Sequence, residues 1–188
     1  MKSSDDSSLE DFEREALPHL HDIYRTACRI IGNVSEAEDL AQETYLQALK
    51  SFHRFTPGSN CRAWLFKILF HVVHHHRRKW FSLWLRSEGE TCLEELLTYE
   101  PPVPDQITDE EVLAALGRVP EDFRSVLLLA DVQEFSYKEI AEILGIPLGT
   151  VMSRLSRGRL ILRGHLAPAA ESMGILAAKA VVQAQPRV

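Results

Sequence analysis

Residues 136–159 leave little freedom in how they fold. Ser136 stands three residues before Glu139, the spacing of a capping box in which the serine oxygen accepts from the glutamate amide and the carboxylate returns to the serine amide. A helix therefore starts there. Ile140, Ala141 and Leu144 fall on one face of it, Gly145 stands where a helix end needs the left-handed conformation, and Pro147 keeps the first helix from continuing. The second helix turns Val151 and Leu155 inward across the small Ala141, which leaves Thr150, Ser153, Arg154, Arg157 and Arg159 outward. The pattern is a helix-turn-helix whose second helix carries groups suited to phosphates and base edges. An ordinary helical hairpin with a solvated basic face fits the same residues, because caps and turn residues fix shape and not ligand.

A formal net charge of −6 over 188 residues is an odd balance for a polyanion binder until the charges are mapped along the chain. They are segregated. No acid occurs from Thr44 to Ser87, where Lys50, Arg54, Arg62, Lys67, Arg77, Arg78, Lys79 and Arg86 lie. From Glu88 to Glu111 the pattern inverts to nine acids with no Lys or Arg, and a second basic block runs from Arg154 to Arg163. Two basic surfaces joined by an acidic connector suit a protein that touches a polyanion at two places. The connector contains Pro101, Pro102 and Pro104 and is expected to be an extended, flexible linker over 85–106, although a solvated loop inside one domain has the same composition.

Other function classes are excluded by composition. No run approaches the ~18 apolar residues of a membrane span, so no membrane insertion is expected, and the polar, acidic start from Ser3 to Glu13 is unlike a signal peptide. Cys28, Cys61 and Cys92 are far apart with no CxxC pair, which predicts a reducing, cytoplasmic setting.

The N-terminal module, 9–84, reads as all helix. Phe12, Ala16, Leu20, Ile23, Tyr24, Ala27, Ile30 and Ile31 recur at helical spacing, predicting one helix from Leu9 to Ile31 that Gly32-Asn33 ends. Ser35 and Glu38 suggest a capping box for the next helix, with Ala41, Tyr45, Ala48, Leu49 and Phe52 buried and Glu36, Asp39, Gln42 and Glu43 forming an acidic outer stripe. That stripe suits a protein partner; it equally suits a solvated face that complements the helix dipole. After the turn Thr56-Pro57-Gly58, Ser59 or Asn60 is placed to cap a third helix to about Trp80, with Trp64, Leu65, Ile68 and Val72 as its core face.

That third helix crowds Arg62, Lys67, His71, His74, His75, His76, Arg77, Arg78 and Lys79 among aromatic residues. Cations interleaved with flat apolar rings suit single-stranded nucleic acid, since the backbone needs charge and the bases need stacking surfaces. Most of the aromatics are expected to be core. A metal reading of His71, His74, His75 and His76 lacks a nearby carboxylate or thiolate partner, so no metal or other cofactor is expected.

The motifs Asp39-Leu40-Ala41-Gln42-Glu43, Trp64-Leu65 with Ile68, Val119-Pro120, and Glu139-Ile-Ala through Gly149-Thr-Val resemble, in that order, the extracytoplasmic function sigma factors of the sigma-70 family. The resemblance covers residues 12–84 (region 2) and 108–165 (region 4). It implies an all-α chain of two small helical domains, 9–84 and 107–166, joined by the acidic linker and followed by an Ala-rich tail, 167–188. It further implies that Asp39, Leu40, Gln42 and Glu43 bind core RNA polymerase at the β′ clamp, with region 4 meeting the β flap. Arg62, Trp64, Lys67, His71, Arg77 and Arg78 would engage the melted −10 element, and Arg124, Thr150, Ser153, Arg154, Arg157 and Arg159 the −35 duplex. The implied function is promoter recognition without catalysis, with promoter DNA and an anti-sigma protein as further partners.

The sequence departs from the family at His71, where Asn is common, at Ala130 and Met152, where basic residues are common, and at Glu134, where Gly is usual. A stand-alone helix-turn-helix regulator would account for the C-terminal half, and a histidine-based metal hydrolase for the basic helix. The first explains neither the acidic stripe nor the aromatic-basic helix, and the second lacks a general-base carboxylate between Glu43 and Glu88.

Overall fold

Pro18 interrupts the apolar periodicity of the N-terminal segment, because a proline inside a helix removes an amide donor and crowds the preceding turn. In the computed structural model, which describes residues 3–84 and 109–172, the segment is accordingly two helices and not one. Helix α1 is Ser3–Ala16, a 3-10 turn spans Leu17–His19, and α2 is Leu20–Ile31, ended by Gly32 in the left-handed conformation at φ 77°. Helix α3, Val34–Ser51, starts two residues earlier than the Ser35 box implies. Its cap is Asn33, whose side-chain oxygen accepts from the Glu36 amide at 3.0 Å. Asparagine in an extended conformation outcompetes a serine already within the first turn. Helix α4, Cys61–Trp84, is capped by Asn60, which accepts from the Ala63 amide at 3.0 Å.

Helices α5 (Asp109–Gly117), α6 (Glu121–Leu127), α7 (Tyr137–Leu144) and α8 (Leu148–Ser172) build the C-terminal module. α6 passes directly into a π turn, Leu128–Val132, closed by Gln133 N–H donating to the Leu128 carbonyl at 2.9 Å. Glu134 follows at φ 56°, the one non-glycine residue with positive φ among those described. Gly158 of α8 lets that helix lie directly on α6: a Cβ there would stand 3.1 Å from Leu127 Cγ and 3.2 Å from Phe123 Cβ.

The described residues form no strand, in keeping with the all-α expectation. The two modules do not have separate cores, however. A single buried apolar cluster runs from Phe12 through Phe66 and Leu128 to Leu155, with α5 and α6 against α2 and α7 against α4. Helix α4 is in consequence buried on two sides. Beyond the expected Leu65 and Val72, it buries Phe66, Leu69, Phe70 and Val73, while Trp64 and Ile68 are only partly covered. On α3 the buried set is Ala37, Leu40, Ala41, Thr44 and Ala48; Leu49, expected inside, is exposed. The connector over 85–106 and the tail beyond Ser172 lie outside the described residues, while α8 runs six residues past the expected domain end at 166.

Candidate nucleic-acid and polymerase interface

On α3, Gln42 and Glu43 stand three and four residues after Asp39, and Leu46 and Leu49 continue in steps of three, so the five residues share one face, and each is exposed. The helix beneath is fixed from behind. Tyr45 donates its hydroxyl to the Ala16 carbonyl at 2.8 Å, and the buried Thr44 hydroxyl donates to the Leu40 carbonyl at 2.6 Å. Glu43 accepts from Gln47 at 2.9 Å, which leaves Asp39 and Gln42 turned to solvent. Leu40, expected among the contact residues, is 1% exposed and belongs to the core. The face gains instead Leu46 and Leu49, 50% and 42% exposed. The 3/4 spacing continued from Asp39 carries the signal for both leucines; assigning Leu49 to the buried face, and Leu46 to neither face, hid it.

Helix α4 divides the expected −10 residues into three groups. Lys67 and His71 are exposed with His74 and His75 on one stripe, as a single-strand-binding surface needs. Trp64 packs into an aromatic cluster, its ring centroid 5.1 Å from Phe55 and 6.2 Å from Phe52, with Phe52 in turn edge-on to Phe12. Its place is therefore largely structural, with one part-exposed edge. Arg62 faces the other module: Nη1 donates to the Gln133 carbonyl at 2.8 Å, Nη2 to Gln133 Oε1, and Nε lies 3.5 Å from Asp22. The backbone of α4 continues through Arg77 and Arg78, whose side chains lie outside the described residues. No group of three or more metal-ligating side chains is assembled among the described residues.

The helix-turn-helix forms as its residues dictate. Glu139 accepts from the Ser136 amide at 2.9 Å and hydroxyl at 2.7 Å, and its own amide donates back to Ser136 Oγ at 3.3 Å. The Ser136 hydroxyl and then its amide hold the Glu139 carboxyl below the usual range, outweighing the opposing effect of burial, and the Asn60 amide group adds a smaller contribution in the same direction. Gly145 caps α7 at φ 64°, and the Ile146 amide returns to the Ala141 carbonyl at 3.1 Å. Ile143, unremarked in the sequence pattern, joins Ile140 as the buried pair of α7.

Along α8 the three arginines have different surroundings. Arg154 is partly buried and paired with Asp122 of α6 at 3.2 Å, so it does not share the free outward face expected for it. Arg159, on the opposite flank, is gripped by Asp131 through Nη2 at 2.5 Å and Nε at 3.2 Å. Hydrogen bonding to Asp131 raises its pKa further and keeps it protonated. Ser153 and Arg157 are exposed beside the part-exposed Thr150, and Arg157 has no ion pair among the described residues. Arg124 donates to the Gly117 carbonyl at 3.2 Å, which places it at the end of α5 and not on the α8 surface. Met152 and Leu160 are exposed on α8 as well, at 50% and 67%.

Comparison with known proteins aligns both modules. Residues 17–81 match the family described as Sigma-70 region 2, and residues 109–162 that described as Sigma-70, region 4. The ECF RNA polymerase sigma factor SigE of Mycolicibacterium smegmatis is 34% identical over 176 residues, covering 88% of this chain; the chain spans 65% of that relative's length. The ECF RNA polymerase sigma factor EcfG of Rhodopseudomonas palustris is 37% identical over 152 residues, 81% of each chain. Among solved structures, the sigma factor RpoE in complex with the anti-sigma factor NepR, from Bartonella quintana, superposes with a TM-score of 0.74 at 31% identity, over 84% of this chain and 98% of that one.

Proposed function

The chain belongs to the extracytoplasmic function group of the sigma-70 family, and on that premise we propose how its surfaces divide the work of promoter recognition. It is a sigma factor: it associates with core RNA polymerase and directs initiation at particular promoters. The acidic-apolar face of α3, Asp39, Gln42, Glu43, Leu46 and Leu49, docks on the polymerase clamp. Acids set orientation and encounter rate, and the two leucines supply the apolar burial that a surface of acids alone lacks. Lys67, His71 and the α4 backbone as far as Arg78 lie along the melted −10 strand. Ser153 and Arg157, with Thr150, enter the −35 major groove, where an unpaired guanidinium can fork onto a guanine edge. Arg154 and Arg159, already paired, steady α8 and contact flanking phosphates only by exchanging partners.

The observation that carries this reading is the completed helix-turn-helix of region 4 on the same chain as the exposed α3 face of region 2. No described helix is long and apolar enough to cross a membrane, which fits work in the cytoplasm beside polymerase. In this reading the bond-making chemistry belongs to the polymerase. An anti-sigma protein is the fitting antagonist, since the RpoE relative is held by one.

Copurification with core RNA polymerase, followed by transcription of sheared genomic DNA with the reconstituted holoenzyme, tests the function. Discrete start sites with a shared upstream sequence support it. Failure to bind core polymerase overturns it.

A further inference from the structure

Gln133 is one of few buried polar side chains described, 5% exposed, and its groups are spent on the other module. Its carbonyl and Oε1 accept from the two terminal nitrogens of Arg62, and its Nε2 donates to the buried Thr26 hydroxyl at 3.0 Å. The Arg62 guanidinium lies 4.5 Å from the Phe135 ring centroid and 5.5 Å from that of Phe66, and those two rings meet edge-on at 5.1 Å. At the rim, Asn60 donates to the capping-box carboxylate of Glu139 at 2.8 Å. The backbone that presents Gln133 is unusual on both sides, with a π turn before it and the positive φ of Glu134 after it. Sparsely populated conformations of this kind persist where tertiary contacts over-determine them.

From this arrangement, and resting on the sigma-factor reading above, we propose that Arg62, Gln133 and Phe135 form a latch that holds the free protein in a self-inhibited, closed state. Arg62 then has two exclusive sets of partners. With its Nη1–Nη2 fork committed to Gln133 and its face on Phe135, the guanidinium can turn that fork onto a nucleic-acid phosphate only by leaving Gln133. Closure also fixes region 4 against α2 and α4, whereas polymerase and a two-element promoter must engage the modules at separate places. Opening releases Arg62 for DNA and lets the Leu128–Glu134 segment relax. The closed population lowers apparent affinity for polymerase in proportion to its excess over the open one.

Two nearly isosteric substitutions in the full chain push the latch in opposite directions. Gln133→Glu keeps every contact, because the Thr26 hydroxyl can donate where it accepted, and adds a charge against Arg62. Asn60→Asp keeps the α4 cap, since aspartate caps as well as asparagine, but sets a carboxylate against Glu139. The measurements are small-angle X-ray scattering of the free protein and titration with purified core RNA polymerase. Gln133→Glu is expected to stay as compact as the wild type and to bind core polymerase roughly 3- to 10-fold more weakly. Asn60→Asp is expected to enlarge the radius of gyration and tighten core binding, with both effects shrinking at about 0.5 M salt, where the repulsion is screened. Unchanged dimensions and affinities in both variants, or affinities that move the same way, overturn the latch. If neither wild type nor variant binds core polymerase, the sigma-factor reading fails, and scattering alone still decides whether the latch opens.

Discussion

Arg62 of α4 donates from Nη1 to the Gln133 carbonyl at 2.8 Å, although 71 residues separate them in sequence. A side chain that the family resemblance assigns to the melted −10 strand is thus held, in the free chain, by region 4. The electrostatics of DNA binding and the packing of the free protein meet at one guanidinium. This is why the roles of the basic residues differ even though they look alike in sequence.

The α3 face gives the most direct test of polymerase docking. Asp39→Lys combined with Glu43→Lys is expected to abolish core binding in a pull-down while leaving the melting temperature within a few degrees, because exposed substitutions cost about 0.5 kcal/mol or less. Leu46→Ala should weaken core binding with no loss of stability, since a side chain 50% exposed contributes little to the core. Retention of full core affinity in all of these variants would remove α3 from the interface.

The arginines of α8 should separate by partner. Arg157→Ala is expected to cost on the order of 1–3 kcal/mol on duplexes selected by the protein from a random pool and much less on scrambled ones. Arg159→Ala should weaken both alike and lower the salt slope by less than one, because its charge reaches a phosphate only after leaving Asp131. Arg154→Ala should have the smallest effect on DNA and a measurable one on stability, because its pairing with Asp122 ties α8 to α6. Equal losses for all three variants on both duplex sets would place −35 reading elsewhere.

Much of this was legible in the sequence because it is local. The Ser136–Glu139 box and the Gly145 cap need only neighbours within a few residues, and each has the structural form those neighbours imply. What was not legible depends on distant parts of the chain. Two-sided burial of α4 requires α7 to pack on it, and no periodicity within α4 announces that. The pairing of Arg154 and Arg159 requires acids contributed by other segments, Asp122 and Asp131, which a charge map along the chain assigns to no partner. Pro18 and Asn33 are a different case. Both signals were local, but a strong apolar repeat and a well-spaced serine outweighed them.

Glu139 makes the helix-turn-helix acid-sensitive in a defined direction. Its carboxyl is held below its ordinary value by Ser136 and then Asn60, so the charged form is favoured by folding. The contribution to stability is therefore fully present above the unfolded carboxylate pKa and is lost as pH falls through the lower folded value. The stability difference between wild type and Glu139→Gln should accordingly be constant near neutrality and shrink over the interval in which pH falls through and below the ordinary glutamate range. A difference that stays flat over that interval would mean the carboxylate adds nothing beyond an amide.

Two substitutions at backbone-critical positions should move stability in opposite directions, against the usual expectation that glycine weakens a fold. Glu134 holds φ 56° with a side chain that makes the left-handed region unfavourable by roughly 1 kcal/mol, so Glu134→Gly should stabilise the protein by up to about that amount, less the added freedom of the unfolded chain. Gly158 is helical, where alanine would ordinarily gain about 0.5–1 kcal/mol, yet its Cβ would meet Phe123 Cβ and Leu127 at 3.1–3.2 Å. Phe123 Cβ is anchored to its backbone and Leu127 is 2% exposed in a packed core, so neither can move aside freely. Gly158→Ala should therefore destabilise the α6–α8 packing by about 1–3 kcal/mol despite its better helix propensity. Chemical denaturation of both single variants measures the pair, and a stabilised Gly158→Ala would show that α6 and α8 can separate by a few tenths of an ångström at no cost.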